Sequence, residues 1–147
     1  MHTLFKIDDE RFQKVSIVVG ECMKYHPHGN ASIGAALVVL VNKGIFIERQ
    51  GNFSNMLTGE EASTSRYIEC RVRLVDKDFL VTNPEVTDYI KNYDGHSIEP
   101  EVYRAKITVI LIIDAEGIDV GINTKILPYN LKIVLEAEIK VLKGEDF

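Results

Sequence analysis

The chain has 147 residues, 46% of them hydrophobic and 27% charged, with a formal net charge of −5. That length suits one domain, or one domain and the start of another, and the apolar content excludes a disordered chain. The acidic total argues against a general nucleic-acid binder, and the apolar run Ile107 to Ile113 is too short to span a bilayer.

The charge is uneven. Residues 1–75 carry nine Lys/Arg against eight Asp/Glu, and residues 76–147 carry eight against fourteen. A polyanion would therefore meet the first half. The opening MHTLFKIDDERF lacks the basic start, apolar middle and small-residue end of a signal peptide. The two cysteines, Cys22 and Cys70, fit free thiols in a reducing compartment. A cytoplasmic location is expected.

Taken in chain order, Phe12, Val15, Val18, Val19 and Cys22 stand at helical spacing, which predicts a helix over 9–23 capped by Asp8 or Asp9. Pro27 and Gly29 break it. Asn30 can cap a second helix, over 30–41, that ends at Asn42-Lys43-Gly44. Helix, short turn, helix is the grammar of a helix-turn-helix. A strand is expected over Ile45–Arg49, and QGNFSN reads as a turn.

Residues 66–74 alternate. Ile68, Cys70, Val72 and Leu74 fall on one side, and Tyr67, Glu69, Arg71 and Arg73 on the other. A helix-turn-helix followed by a hairpin suggests a winged helix. Residues 76–92 can be helical, broken at Asn83-Pro84. YDG (93–95) is a turn and Glu99-Pro100 is extended. The β-branched run 107–113 reads as a buried strand. A last amphipathic helix starts at Pro128 and Asn130, carries Leu131, Leu135, Ile139 and Leu142 on one face, and ends at Gly144. A boundary is expected near 92–100, dividing the chain into 1–92 and 93–147. The fold class expected is α+β.

Two constellations can carry chemistry. Cys22, His26, His28 and Cys70 could form a four-ligand zinc set. The spacing C-x3-H-x-H is not a common finger pattern, and Pro27 holds the histidines in an extended turn where their rings point apart. The second is Tyr67 beside Arg66, with Arg71 and Arg73 close in sequence. By spacing alone it is a surface tyrosine among solvated charges. Its functional alternative is a nucleophile for a phosphodiester. A phenol is a poor nucleophile at neutral pH and needs a cation, base or metal nearby. Arginine suits the spreading of charge off a five-coordinate phosphorus.

YHPHGNASI, QGNF, TGEEASTSRYIECR, YDG and EGIDVGINTKILPYNL follow one another in this order. Together they closely resemble the breakage–reunion subunit of type IIA DNA topoisomerases, the A subunit of gyrase or of topoisomerase IV. ASIGAALVVLVNKGIFIERQGNF and the ending LKGEDF are more similar to the topoisomerase IV side. The resemblance runs from about Phe12 to Phe147.

The resemblance implies roles. Tyr67 matches the tyrosine that attacks a DNA phosphate and stays joined to the 5′ end, and Arg66 the arginine that stabilises the transition state. His26 and His28 match a pair that contacts DNA. The helix from Asn30, Ala31 and Ser32 matches the one presented to the cleaved duplex. Ile118 matches an isoleucine wedged between base pairs. Ala31 and Ala35 stand where fluoroquinolones usually meet serine and an acidic residue, which implies poor quinolone sensitivity. Residues 100–143 would begin the so-called tower domain after the winged helix. Mg²⁺ is implied, held mainly by the partner B subunit, which also uses the ATP; no metal set is expected within this chain. The parent would be a homodimer on DNA at the nucleoid, with no membrane.

Departures accompany the match. Asn30 replaces an aspartate, Ser63-Thr64-Ser65 a small-residue run, Tyr103-Arg104 a Leu-Pro pair and Tyr129 a histidine. Asp119 replaces an alanine and would face phosphates. Family segments before and after this stretch are not represented, which implies an internal fragment with little or no cleavage alone. The competing expectation is a non-catalytic DNA-binding or interaction module derived from the same breakage–reunion protein.

Overall fold

A short helix, α1 (His2–Lys6), opens the chain in the computed structural model, which describes residues 1–55, 57–80 and 84–146. The helix expected from residue 9 does not start there. Asp8 and Asp9 instead accept hydrogen bonds from the backbone N–H groups two residues on, Glu10 at 3.1 Å and Arg11 at 3.1 Å. These local turns compete with helix, and Glu10 takes a left-handed φ of 67°. The chain then enters strand β1 (Gln13–Lys14) and only afterwards helix α2 (Val15–Cys22). Phe12 lies under the Arg71 guanidinium, 4.5 Å from its ring centroid.

Helix α3 (Asn30–Asn42) follows, with Gly29 rather than Asn30 at its cap position and no side-chain cap. Strands β2 (Ile47–Gln50), β3 (Phe53–Asn55), β4 (Glu60–Ala62) and β5 (Glu69–Val72) come next. β1, β5 and β2 form one antiparallel sheet in that order, with Cys70 paired to Gln13 on one side and Arg49 on the other. β3 and β4 form a separate hairpin between β2 and β5. Helix, strand, two helices and two strands that pair with each other is the order of a winged helix, here with β3–β4 inserted in the wing. The core between α2, α3 and the sheet is Val15, Val18, Val19, Val41, Ile47, Phe53, Ile68, Cys70 and Val72, all buried. Each such side chain contributes about 1.5–3 kcal/mol of burial.

The alternation read over 66–74 holds for Ile68, Cys70 and Val72, but the strand is only 69–72. Arg66 and Tyr67 belong to the turn before it. Leu74, half exposed, starts helix α4 (Leu74–Leu80). A 3-10 turn (Pro84–Val86) and the hairpin of β6 (Tyr89–Lys91) and β7 (Ile98–Pro100) follow. The break expected at Asn83 lies outside the described residues.

The chain separates into two compact units, Met1–Arg104 and Ala105–Phe147, so the division falls beyond 92–100. The reason is Asn92. It is 6% exposed, its amide donates to the Lys24 carbonyl at 2.6 Å, and its side-chain oxygen accepts from Ser97 N–H at 3.0 Å. The hairpin around YDG is thereby tied to the first unit.

In the second unit the run 107–113 is not a buried strand. Val109–Leu111 form a 3-10 turn and Ile110 is 49% exposed. The strands of this unit, β8 (Ala115–Asp119) and β9 (Ile122–Ile126), pair with each other and not with the run. Thr108 N–H instead donates to Glu138 at 2.6 Å. Helix α5 (Leu131–Lys143) has the expected ends: the Asn130 side chain accepts from Lys132 N–H, and Gly144 is left-handed. Its buried residue is Val134, while Ile139 is 50% and Leu142 87% exposed. The inward face is therefore rotated from the Leu131–Leu142 stripe toward Val134, on the side where Glu138 accepts from Thr108. Among the described residues no helix is long and apolar enough to cross a membrane.

Gly51 sits at φ +100°, and a Cβ there would stand 2.9 Å from Ile68 Cγ2. Gly51→Ala combines left-handed strain with overpacking of a buried side chain. It should cost about 2–4 kcal/mol, read as a lowered denaturant midpoint; an unchanged midpoint would show that Ile68 is not pinned there.

Candidate nucleic-acid interface

Helix α2 has no side-chain cap. Its first N–H groups find backbone partners instead: Val15 N–H donates to the Ile68 carbonyl at 3.0 Å and Ser16 N–H to the Ser65 carbonyl at 3.1 Å. The turn 64–67 closes on itself, with Tyr67 N–H donating to the Thr64 carbonyl at 2.8 Å. Ile68 then points into the core at 1% exposure while Tyr67, one residue earlier, points out at 64%. The Arg66 guanidinium lies over the Tyr67 ring, 4.7 Å from its centroid. Tyr67 is thus a turn residue held against a helix end.

An open groove of about 550 Å³ runs beside this turn. Asn30, Ala31, Gly34 and Ala35 of α3 line one side, and Ser63 and Ser65 another. The groove joins the start of α3 to the segment that carries Arg66 and Tyr67. Ser32 is exposed on α3 without lining it. A Cβ on Gly34 would meet nothing nearer than Val19 Cγ2 at 4.0 Å, so packing within the chain does not demand glycine there.

The other arginines of this region are engaged elsewhere. Arg71 pairs with Glu48 at 2.6 Å, donates to the Glu10 carbonyl at 3.1 Å and covers Phe12. Arg73 donates to the Gly44 carbonyl at 2.9 Å, and Arg49 to Asn42 Oδ1 at 2.6 Å. Arg73 and Arg49 hold the wing to the end of α3, and Arg71 ties the sheet to the segment before β1. Among the described residues no carboxylate pairs with Arg66.

The His-Pro-His turn is built on Tyr25, which is 5% exposed, accepts a hydrogen bond from Lys6 Nζ at 2.7 Å and meets the His2 ring edge-on. His26 and His28 are both exposed. His26 Nε2 lies 3.4 Å from Glu99 Oε2. Nothing in the sequence singles out Glu99, because it reaches the turn only through pairing of β6 with β7. Ile118 lies in the second unit, near the tip of the β8–β9 hairpin, 76% exposed with Val120 at 92% and Ile122 at 70%.

The zinc set is not assembled: among the described residues no three His, Cys, Asp or Glu side chains stand together as metal ligands. Cys70 faces the core of the sheet, and burial pushes its thiol up to about 11. Cys22 is half-buried on α2.

The family model for the A subunit of DNA gyrase/topoisomerase IV matches residues 1–147. The chain is 52% identical over its whole length to the A subunit of DNA topoisomerase 4 from Borreliella burgdorferi, covering 23% of that protein. It is 36% identical over 144 residues to the A subunit of DNA gyrase from Staphylococcus epidermidis, 94% of this chain and 16% of that protein. The chain thus spans under a quarter of the length of these relatives. Its fold superposes on the DNA-binding, cleavage and re-ligation domain of Plasmodium falciparum topoisomerase II with a TM-score of 0.81, at 24% identity, over 99% of this chain and 21% of that one.

Three measurements check this geometry. Gly34→Ala, in a helix interior with room for the methyl, should stabilise by about 0.5–1 kcal/mol in denaturant unfolding. Cys70 should resist alkylation in the native chain while Cys22 reacts. Because burial raises the folded thiol above its ordinary 9.0, that stabilisation is complete below pH 9 and is lost as pH rises through about 11. The loss is about 3 kcal/mol, absent in Cys70→Ala.

Proposed function

The chain belongs to the family of DNA gyrase and topoisomerase IV A subunits, and from that premise we propose that it carries the DNA-cleaving tyrosine, Tyr67. The observation that carries this reading is the placement of Tyr67. It stands exposed on a turn locked to α2, under the Arg66 guanidinium, next to a groove walled by small residues of α3.

The reaction is a reversible transesterification. The Tyr67 Oη–phosphorus bond forms, the bond from phosphorus to the 3′ oxygen breaks, the phenol gives up its proton and the leaving oxygen gains one. No phosphodiester is lost to water, so rejoining needs no external energy. Arg66 supplies a permanent positive charge beside the phosphoryl oxygens, where charge accumulates in the transition state. Ala31, Gly34 and Ala35 let a sugar–phosphate backbone approach α3 closely. Asn30, Ser32, His26 and His28 add polar contacts to that strand. Ile118, apolar and exposed on its hairpin, suits insertion between base pairs.

We assign Mg²⁺ and ATP use to the partner B subunit. The second unit is read as the start of the tower domain, and the parent as a cytoplasmic, nucleoid-bound homodimer. A second reading, a DNA-binding module without chemistry, is favoured by Asp119, exposed beside Ile118 where it would face phosphates.

The test mixes the chain with the cognate B subunit, Mg²⁺ and supercoiled DNA and traps covalent adducts with detergent. Adducts that vanish in Tyr67→Phe, and fall about a hundredfold or more in Arg66→Ala, support the enzyme. Salt-sensitive binding without adducts supports the module.

A further inference from the structure

We infer that Glu99 is a positioning residue for His26, holding its ring so that one nitrogen faces the protein and the other faces a DNA phosphate. The inference rests on the DNA-binding reading above. Its own evidence is the approach of Glu99 Oε2 to His26 Nε2 at 3.4 Å, with the glutamate side chain 16% and the histidine side chain 59% exposed. The carboxylate is therefore the sheltered partner and the imidazole the one presented to solvent.

The elements behind the pair are fixed. Glu99 is on β7, opposite Ile90 of β6. Asn92, the residue after β6, donates to the carbonyl of Lys24, two residues before His26. It also accepts from Ser97 N–H, which closes the hairpin that brings Glu99 back. On the other side, His26 N–H donates to the Cys22 carbonyl at 3.0 Å, which anchors the turn to α2. The backbones of both residues are thereby held, so only side-chain rotamers are ordered when the pair meets.

The chemistry follows from the two ring nitrogens. A phosphate oxygen only accepts hydrogen bonds. A neutral imidazole that donates Nε2–H to Glu99 presents a bare Nδ1, which repels phosphate. The imidazolium donates from both nitrogens and can bridge carboxylate and phosphate, as carboxylate partners orient histidine at other sites. Glu99 also faces His2, and it opposes the lowering of that residue by burial, by Lys6 and by the N-terminal amine. Among the described residues no carboxylate pairs with the ring of His28, whose backbone N–H donates to the His26 carbonyl at 2.8 Å.

The test separates this assignment from simple electrostatics, under which removing a carboxylate near DNA tightens binding. Affinity of the 147-residue chain for duplex DNA is measured against salt for the wild type, Glu99→Gln, His26→Ala and the double variant. Glu99→Gln should weaken binding about two- to fivefold. It should also lower the salt slope by up to about one, as His26→Ala does. The double variant should be no weaker than His26→Ala alone. In nitrogen NMR, the His26 ring signals should move in Glu99→Gln while those of His28 stay. Tighter binding, additive losses or an unmoved His26 ring would overturn the assignment of Glu99. A wild-type chain that binds no DNA overturns the functional reading itself and this one with it.

Discussion

Two backbone hydrogen bonds organise the first unit: Val15 N–H to the Ile68 carbonyl and Ser16 N–H to the Ser65 carbonyl. A helix start leaves N–H groups that must find partners. α2 finds them on the turn 65–68 rather than on a capping side chain. That choice has three consequences. Ile68 is driven into the core, Tyr67 is turned outward, and the side of α3 is held open across from Ser63 and Ser65. Gly51 follows from the same arrangement, because any side chain there would strike Ile68.

The charges are divided in a way that this framework explains. Arg73 and Arg49 reach Gly44 and Asn42 at the end of α3, and Arg71 pairs across the sheet with Glu48 of β2. Such contacts hold geometry, and the Arg71 charge is balanced by Glu48. Arg66, carried outward by the same turn as Tyr67, lies over the phenol ring. An acidic chain can therefore still present a cation beside an exposed phenol. The local placement matters more than the net charge.

Much of the site is legible as residue types in order. The turn between α2 and α3, the length of α3, the buried side of β5 and both ends of α5 follow from Pro27, Gly29, the Ile68–Val72 alternation, Asn130 and Gly144. Elements whose state depends on a distant partner are not legible. The helix expected from residue 9 starts at Val15, because Gln13 and Lys14 join Cys70 and Glu69 in a sheet. The run 107–113 has every local mark of a strand, yet β8 and β9 pair with each other and leave it to a 3-10 turn. Glu99 carries no local signal at all; it meets His26 only because the β6–β7 hairpin is tied back by Asn92.

By itself, then, the sequence determined the family and the polarity of each short segment, and it singled out Tyr67, Arg66, His26 and His28 as candidates, since these depend on residue type and near-neighbour spacing. Tertiary structure decided which side chains are committed and which are available. It set Tyr67 on a turn instead of a strand face, engaged Arg71 but, among the described residues, not Arg66 with a carboxylate, and placed an acidic side chain beside one histidine of the pair. The physical reason is range: propensity and periodicity act over a few residues, whereas backbone partners for a helix start and charge pairs for a surface are supplied across the fold.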